Sequence, residues 1–315
     1  MEKLPVYLAH VSGNGKSRCC NIGYPKFDTI LSEILDIFMP GGISGANILI
    51  KPNLLKAGEP LCVTSPEMIV GVSRQVLDRG ARVTVADSPA FGPAEKVLQF
   101  LGILDKLKRL GINVCSLKKP VRTRLPCGIK IGISKTALDA DLIVNIPRLK
   151  THCQLGITGA VKNTFGTVVG FRKALAHCLY GRDRRLFSSL ILEISQLLPL
   201  TVSIVDAVTM MHVTGPSGGR PLFLGVVAAG RYPVAVDTCV YHILGVKPGN
   251  VPIWQRAREK GVAGSRVEEI RFLKRNPRDF SIRHGLIIPE ALEPITFNPY
   301  RFLKGRTKSF LKRLF

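Results

Sequence analysis

Hydrophobic residues recur along the first half of the chain in two alternating patterns. Short apolar runs predict β-strands at 6–11, 47–50, 82–86, 112–115 and Leu142–Ile146. Apolar residues at helical spacing predict helices over Phe27–Phe38, 65–79 and 94–110. Because these strands and helices alternate, the pattern predicts right-handed crossovers and an α/β fold. In such a fold a mostly parallel sheet carries helices on both faces.

Turn residues support the predicted boundaries of these elements. Pro40 and the two glycines after it end the first helix. Ser65 followed by Pro66 is typical of a capped helix start, and Gly102 interrupts the third helical pattern.

The second half predicts further elements and no clear domain boundary. Residues 126–128 separate two short runs within 121–133, which favours a small inserted hairpin before a short helix capped by Ser134. The pattern then predicts helices at 183–198, 233–244 and 253–260, and strands at 200–206 and 222–229. We expect one α/β domain over 1–300, and a division into two lobes near residue 147 stays open.

The C-terminal segment differs from the rest of the chain in composition. Residues 302–315 contain five basic residues, no acidic residue and three apolar pairs. A short, basic, amphipathic helix of this kind binds acidic membrane surfaces or partner grooves. We therefore expect 301–315 to be a basic tail with peripheral membrane contact through 302–315. The alternatives are a frayed terminus or a last helix docked on the core.

The net charge of the chain favours polyanions as partners. The 315 residues include 45 Lys+Arg and 22 Asp+Glu, which gives a formal net charge of +23. Such a surface attracts nucleic acid, acidic membrane or phosphorylated substrate, although a solvated basic surface has the same composition. Aromatic residues are only 7% of the chain, so stacking platforms for single-stranded nucleic acid are sparse.

The expected cellular location depends on whether the sequence contains a membrane-spanning or secretory segment. No apolar run reaches the roughly 20 residues of a membrane-spanning helix, and the N-terminus has no basic region followed by an apolar run. We expect a cytoplasmic protein without a transmembrane segment. The eight cysteines form no Cys-x-x-Cys pair, which favours reduced thiols.

Polar side chains follow three of the predicted strands directly. Lys51 and Asn53 follow the second strand, Asp87 and Ser88 follow the third, and Asn145 lies at the end of the strand Leu142–Ile146. In open α/β sheets ligands bind beyond the carboxyl ends of the strands. The sequence therefore predicts a site at this edge.

The densest polar stretch extends from Asn145 to His177 and is predicted to be a loop. Glycines in it allow close approach of a ligand to the backbone, and its lysines, hydroxyls and backbone N–H groups suit a phosphate or a carboxylate. The stretch matches neither a Walker loop nor a dinucleotide fingerprint. Its chemically active members are Lys150, Thr151, His152, Lys162, Asn163 and His177.

Several ordered motifs resemble those of the family known as domain of unknown function 362. They comprise 51–55, 64–67, 80–81, 86–89, 145–152, 156–166 with His177, 205–207, 215–216 and 233–237, with Gly245 closing the last helix. The similarity covers about residues 45–250. Many members of that family carry a ferredoxin-type module with clustered cysteines, whereas the cysteines here are scattered, so no iron–sulfur cluster is expected.

The motifs suggest roles for individual residues. We expect His152, His177 and Asp87 to be catalytic, since histidine titrates near neutral pH. The expected substrate-binding residues are Lys51, Asn53, Thr64, Ser65, Ser88, Asn145, Lys150, Thr151, Lys162 and Asn163. Asp206 and Asp237 are weaker candidates, as oxygen ligands of Mg²⁺, and a structural cap is nearly as well supported for both. Acidic residues that the family carries near 211–214 and 231–232 are absent here, which weakens the case for a metal.

Three functions remain open at this point. The first is an enzyme or ligand-binding protein for an anionic small molecule. The second is a nucleic-acid-binding protein that uses the net charge. The third is a redox partner that is related to iron–sulfur proteins and has no cluster of its own.

Overall fold

The computed structural model describes residues 2–12, 27–199, 201–280, 285–289 and 291–294. The predicted tail at 301–315 lies outside these residues. The strands of the described part are β1 Leu4–His10, β2 Asn47–Pro52, β3 Arg82–Asp87, β4 Asn113–Ser116, β5 Pro120–Arg124, β6 Lys130–Ser134, β7 Leu142–Ile146, β8 Arg148–His152, β9 Gly156–Thr158, β10 Thr201–His212, β11 Arg220–Gly230 and β12 Ile270–Leu273.

The helices follow the apolar spacing of the sequence. Helix α1, for example, buries Ile30, Leu31, Ile34 and Leu35 on one face, as its spacing predicts. The helices of the described part are α1 Phe27–Phe38, α2 Pro66–Asp78, α3 Ala94–Phe100, α4 Leu104–Arg109, α5 Lys135–Leu138, α6 Ala160–Thr164, α7 Arg172–Tyr180, α8 Arg184–Leu197, α9 Pro233–Ile243 and α10 Pro252–Glu259.

One large, mostly parallel sheet organises the fold. Its strand order is β12-β1-β11-β10-β7-β2-β3-β4, and β8 pairs with β10 and with β9. Strands β3, β2, β7 and the start of β10 run parallel, whereas β11 is antiparallel to both β10 and β1. The α/β fold with a mostly parallel sheet is confirmed.

Helices cover both faces of the sheet and bury alternate side chains of each strand. Ile48 and Ile50 of β2 pack in one core with residues of α1, α2 and α3. Leu49, between them, packs in a second core with residues of α8 and α10. This alternation is the period of two expected for a strand covered on both faces. The sheet is continuous across Pro147, and the division into lobes stays a prediction.

One prediction about local structure is confirmed and another is wrong. The helical pattern at 94–110 is interrupted at Gly102 as predicted, and it forms two helices, α3 and α4, separated at this glycine, which has a φ of +70°. The stretch 145–177 is not a loop, because it contains strands β8 and β9 and helices α6 and α7. Glycine and threonine in this stretch favour a loop locally. Hydrogen bonding of β8 to β10 and to β9 instead holds this part of the chain in extended strands.

The predicted hairpin and helix start are present with one difference. Strands β5 and β6 form the inserted antiparallel hairpin. Ser65 precedes α2, but its hydroxyl makes no capping hydrogen bond and has no partner within the described chain. Its backbone N–H donates instead to Asp206 Oδ2 at 3.0 Å.

Candidate functional site

The carboxyl ends of β2, β3 and β7 meet at one edge of the sheet. Lys51 is paired in register with Asn145, and Asp87 ends the neighbouring strand on the other side. Because these strands are parallel neighbours, residues far apart in sequence come together there. The polar residues that the sequence analysis expected at the ends of these strands lie at this edge.

A buried ion pair forms the floor of the site. Lys51 Nζ lies 2.7 Å from Asp87 Oδ1, and Lys51 is fully buried. The carboxylate also accepts the backbone N–H groups of Leu54 and Ser88, each at 2.8 Å. A Cβ on Gly166 would lie 2.5 Å from Lys51 Nζ and 2.6 Å from Asp87 Oδ1, so only glycine fits over the pair. Asp87 thus holds a lysine in place, and its expected catalytic role stays a prediction.

Three asparagines form a chain of side-chain hydrogen bonds above this floor. Asn53 Nδ2 donates to Asn163 Oδ1 at 3.0 Å, and Asn163 Nδ2 donates to Asn145 Oδ1 at 2.8 Å. Asn145 Nδ2 in turn donates to Ala160 O and Ser203 Oγ. A fully connected buried network of this kind fixes the orientation of its members.

Lys150 projects from β8 into the same group. Its ammonium donates to Asn53 Oδ1 and to the carbonyl of Cys62, both at 2.9 Å. Burial lowers the pKa of Lys150 to about 8. No carboxylate of the described chain pairs with it, since both of its acceptors are neutral oxygens.

Two further lysines complete a set of four that we call the lysine cluster: Lys51, Lys150, Lys162 and Lys173. Lys173, an addition to the predicted set, donates from α7 to the carbonyl of Ser88. Lys162, on α6, is half-buried and lies 4.6 Å from the centre of the Phe165 ring. Within the described chain, Lys162 Nζ has no hydrogen-bond acceptor and no ion pair.

Electrostatics single out Lys162 within the lysine cluster. Burial, followed by repulsion from Lys150, Lys173 and Lys51, lowers the pKa of Lys162 to about 7. Burial likewise lowers the pKa of Lys173 to about 8. Asp87 acts against the shifts of Lys162 and Lys173, and Asp87 and Glu59 act against that of Lys150. Four lysines near these two carboxylates leave the cluster with an excess of positive charge.

Both predicted histidines lie beside the lysine cluster. His152 Nδ1 accepts the backbone N–H of Gln154 at 3.2 Å, which leaves Nε2 to carry the proton of the neutral ring. Burial, and then Lys162 and Lys150, hold the pKa of His152 well below its usual value. His177 stacks on Phe187 with ring centres 4.6 Å apart, and burial lowers its pKa to about 3. Both rings are neutral near pH 7.

The hydroxyl residues of the predicted set act mainly as internal ties. Thr64 Oγ1 donates to Ile146 O at 2.6 Å and accepts the backbone N–H of Asn53. Thr151 Oγ1 donates to Thr214 O, and Ser88 Oγ accepts the backbone N–H of Gly170. These residues hold the loops and strands around the site in register.

The two carboxylates expected as weak metal ligands have other partners. Asp206 Oδ2 lies 2.5 Å from the Arg148 guanidinium. Asp237 accepts the backbone N–H groups of Ala160 and Val161 at 2.6 and 2.9 Å. The described residues contain no group of three or more His, Cys, Asp or Glu side chains arranged to hold a metal. Asp206 therefore pairs with Arg148 and Asp237 caps α6, and a metal-binding role for either carboxylate stays a prediction.

The fold and the site together define a class: an α/β protein with a cationic, asparagine-supported site at the carboxyl edge of its sheet. Residues 48–242 match the model of the family described as "Domain of unknown function (DUF362)". The chain belongs to this family. A relative from Synechocystis sp., whose name is "Thylakoid-associated protein", is 33% identical over 272 residues, which cover 85% of this chain and 84% of the relative.

Solved structures provide weaker likenesses. The lactate racemase apoprotein from Thermoanaerobacterium thermosaccharolyticum is 15% identical with a TM-score of 0.40, over 56% of this chain and 48% of that one. A Thermotoga maritima protein solved by a structural genomics consortium is 12% identical with a TM-score of 0.41, over 65% of this chain and 55% of that one. The chain thus spans about half the length of each of these structures.

Proposed function

We propose that the lysine cluster binds a small molecule that bears a phosphate or a carboxylate group. If the protein is an enzyme, this molecule is its substrate. One observation carries this proposal: Lys162 is half-buried, its ammonium group has no acceptor among the described residues, and it faces the repulsion of three other lysines. A cation so placed is costly in the free protein. A bound anion would supply the missing acceptor and offset the repulsion.

Lys162 supports a role in proton transfer as well. With a pKa of about 7, it exchanges its proton near neutral pH. His152 is held neutral, and because its Nδ1 accepts the backbone N–H of Gln154, its Nε2–H is a hydrogen-bond donor for a ligand. The site therefore combines cationic lysines with one amine that titrates in a useful range.

The test compares the affinity of the whole chain for inorganic phosphate, pyrophosphate and pyruvate in wild type and in Lys162→Met. Isothermal titration at constant ionic strength reports the binding constant. We expect one of these probes to bind wild type and to bind Lys162→Met at least about tenfold more weakly, since a hydrogen bond to a charged group contributes about 1.5–3 kcal/mol. The matched control is Lys108→Met, an exposed lysine outside the cluster.

Either of two results would reject the proposal. One is equal affinity of wild type and Lys162→Met for every probe that binds. The other is binding of polynucleotide alone, lost as salt rises, which is the behaviour of the nucleic-acid alternative. That alternative, the redox-partner role and the cytoplasmic location stay predictions.

A further inference from the structure

One helix of the fold presents large apolar side chains to solvent in a row. Phe171, which precedes α7, and Leu175 and Leu179 within it are 71%, 45% and 59% exposed. Residues four apart share one face of a helix. Lys173 and His177 lie on the opposite face, towards the lysine cluster, so α7 separates the site from this apolar row.

A basic rim lies beside the row. Arg122 and Lys130 of the β5–β6 hairpin, together with Arg172, line a cavity of about 250 Å³ that Leu175 and Leu179 also line. The hairpin is held against this region by a hydrogen bond from Val169 N to Gly132 O at 3.1 Å.

A glycine in the hairpin admits the arginine of the rim. A Cβ on Gly132 would lie 2.7 Å from Arg172 Cδ and 2.9 Å from Pro120 Cβ. The Arg172 side chain therefore lies directly across the strand β6, and its guanidinium carbon lies 5.4 Å from the centre of the Phe171 ring in the apolar row.

The sequence around this surface contains almost no negative charge. No acidic residue occurs between Asp105 and Asp139, and none occurs between Asp141 and Asp183. Among the residues that the structure describes, no carboxylate forms an ion pair with Arg122, Lys130 or Arg172. The cations of the rim are thus free to meet negative charge from outside.

We propose that this surface docks on acidic lipid bilayers. We call it the docking face and define it as Arg122, Lys130, Phe171, Arg172, Leu175 and Leu179. The three apolar side chains enter the boundary between headgroups and acyl chains, and the three cations contact lipid phosphates. The apolar row matches the acyl-chain layer of an anionic bilayer. The neighbouring cations, which have no carboxylate partner among the described residues, match its negatively charged headgroups. The docking face shares no residue with the lysine cluster or with the segment 302–315.

The first test places a fluorescent reporter on the docking face of the full chain. The only tryptophan, Trp254, is 7% exposed and gives a constant background. We expect Phe171→Trp to show a blue-shifted emission, and quenching by brominated lipids, with vesicles of phosphatidylcholine and phosphatidylglycerol. Vesicles of phosphatidylcholine alone should produce neither change. The matched control is Phe100→Trp, at a side chain of 45% exposure on α3.

The second test removes the apolar row and measures vesicle binding by sedimentation. We expect the combination Phe171→Ser, Leu175→Ser and Leu179→Ser to weaken binding to acidic vesicles at least about tenfold. The matched control replaces three exposed apolar residues elsewhere, Ile37→Ser, Phe100→Ser and Phe223→Ser. Because all six side chains are exposed, far-UV circular dichroism should show both variants folded.

Three results would overturn the proposal. Wild type could fail to sediment with acidic vesicles at low salt, which would leave the docking face to a protein partner. The chain could bind vesicles without quenching of Phe171→Trp, which would assign docking to another surface, such as 302–315. The two triple variants could also lose binding equally, which would show that the location of the apolar residues does not matter.

Discussion

At the scale of single residues, the lysine cluster, our proposed anion site, has a cost to stability. Lys162 is held near three other lysines, and within the described chain only Lys51 of the cluster has a carboxylate partner, Asp87. Residues that bind or react are often destabilising in the free protein, because an apolar replacement would be better accommodated. The pKa of about 7 for Lys162 makes this cost measurable.

We predict that ligand-free Lys162→Met is more stable than wild type at pH 7 and that this margin shrinks as the pH rises towards 10. The folded protein releases the Lys162 proton at about pH 7, whereas the unfolded chain keeps it until about pH 10.5. Between these values the unfolded state binds more protons, so the stability of wild type rises with pH. Melting temperatures measured across this range, in buffers without multivalent anions, test the prediction.

The exposed lysine at 108 supplies the control for this pH series. Lys108→Met should differ from wild type by the same small amount at every pH. A margin for Lys162→Met that stays constant between pH 7 and pH 10 would mean that Lys162 titrates normally in the fold. The electrostatic argument for the site would then fail.

At the scale of elements, the placement of Lys162 depends on how α6 begins. The carboxylate of Asp237, on α9, accepts the first two N–H groups of α6, from Ala160 and Val161. Gly159 makes room for it, since a Cβ there would contact the Asp237 carboxylate. One side chain of α9 therefore fixes the short helix that carries Lys162 and Asn163.

We predict that Asp237→Asn lowers the free energy of unfolding by about 1–3 kcal/mol, which is the usual cost of one unsatisfied buried group. Asparagine has one side-chain oxygen, so one of the two N–H groups loses its acceptor. Urea unfolding at about pH 4 is the measurement, because burial raises the pKa of Asp237 to about 7 and, at higher pH, wild type carries an ionisation cost that the variant does not.

A second carboxylate gives the comparison for the Asp237 prediction. Asp78, the last residue of α2, is exposed, and Asp78→Asn should change the stability by no more than about 0.5 kcal/mol. If Asp237→Asn unfolds at the same urea concentration as wild type, the carboxylate does not hold α6. The position of Lys162 would then need another explanation.

At the scale of the whole molecule, the excess of basic residues acts on stability through repulsion. A formal net charge of +23 in one chain opposes the compact state. Among the described residues, several ion pairs, such as Arg185 with Glu259, are largely exposed and offset little of it. Salt shortens the range of this repulsion, with a Debye length of about 30 Å at 0.01 M and about 3 Å at 1 M.

We predict that sodium chloride raises the melting temperature of the ligand-free protein across this range of concentrations. The rise should be parallel in wild type and Lys162→Met, because repulsion between distant surface charges does not depend on one residue. A melting temperature that falls with salt would contradict the prediction. A rise confined to wild type would instead indicate that chloride binds at the lysine cluster.

The amino-acid sequence alone predicts the fold class and the edge of the sheet where the candidate site lies. Apolar periodicity is a local property, so the alternation of strands and helices predicts a parallel sheet. Polar residues directly after β2, β3 and β7 then share one edge, because parallel strands end together. The expected positions of Lys51, Asn53, Asp87 and Asn145 follow from this rule.

Only the tertiary structure decided which groups touch. The pairing of Lys51 with Asp87, the contact of Lys150 with Asn53 and the addition of Lys173 join residues from separate elements, and no local pattern encodes those distances. The same holds for the stretch 145–177, where glycines favour a loop until neighbouring strands supply hydrogen bonds. Local sequence sets the propensity of a segment, whereas the free energy of long-range contacts selects its final conformation and its chemistry.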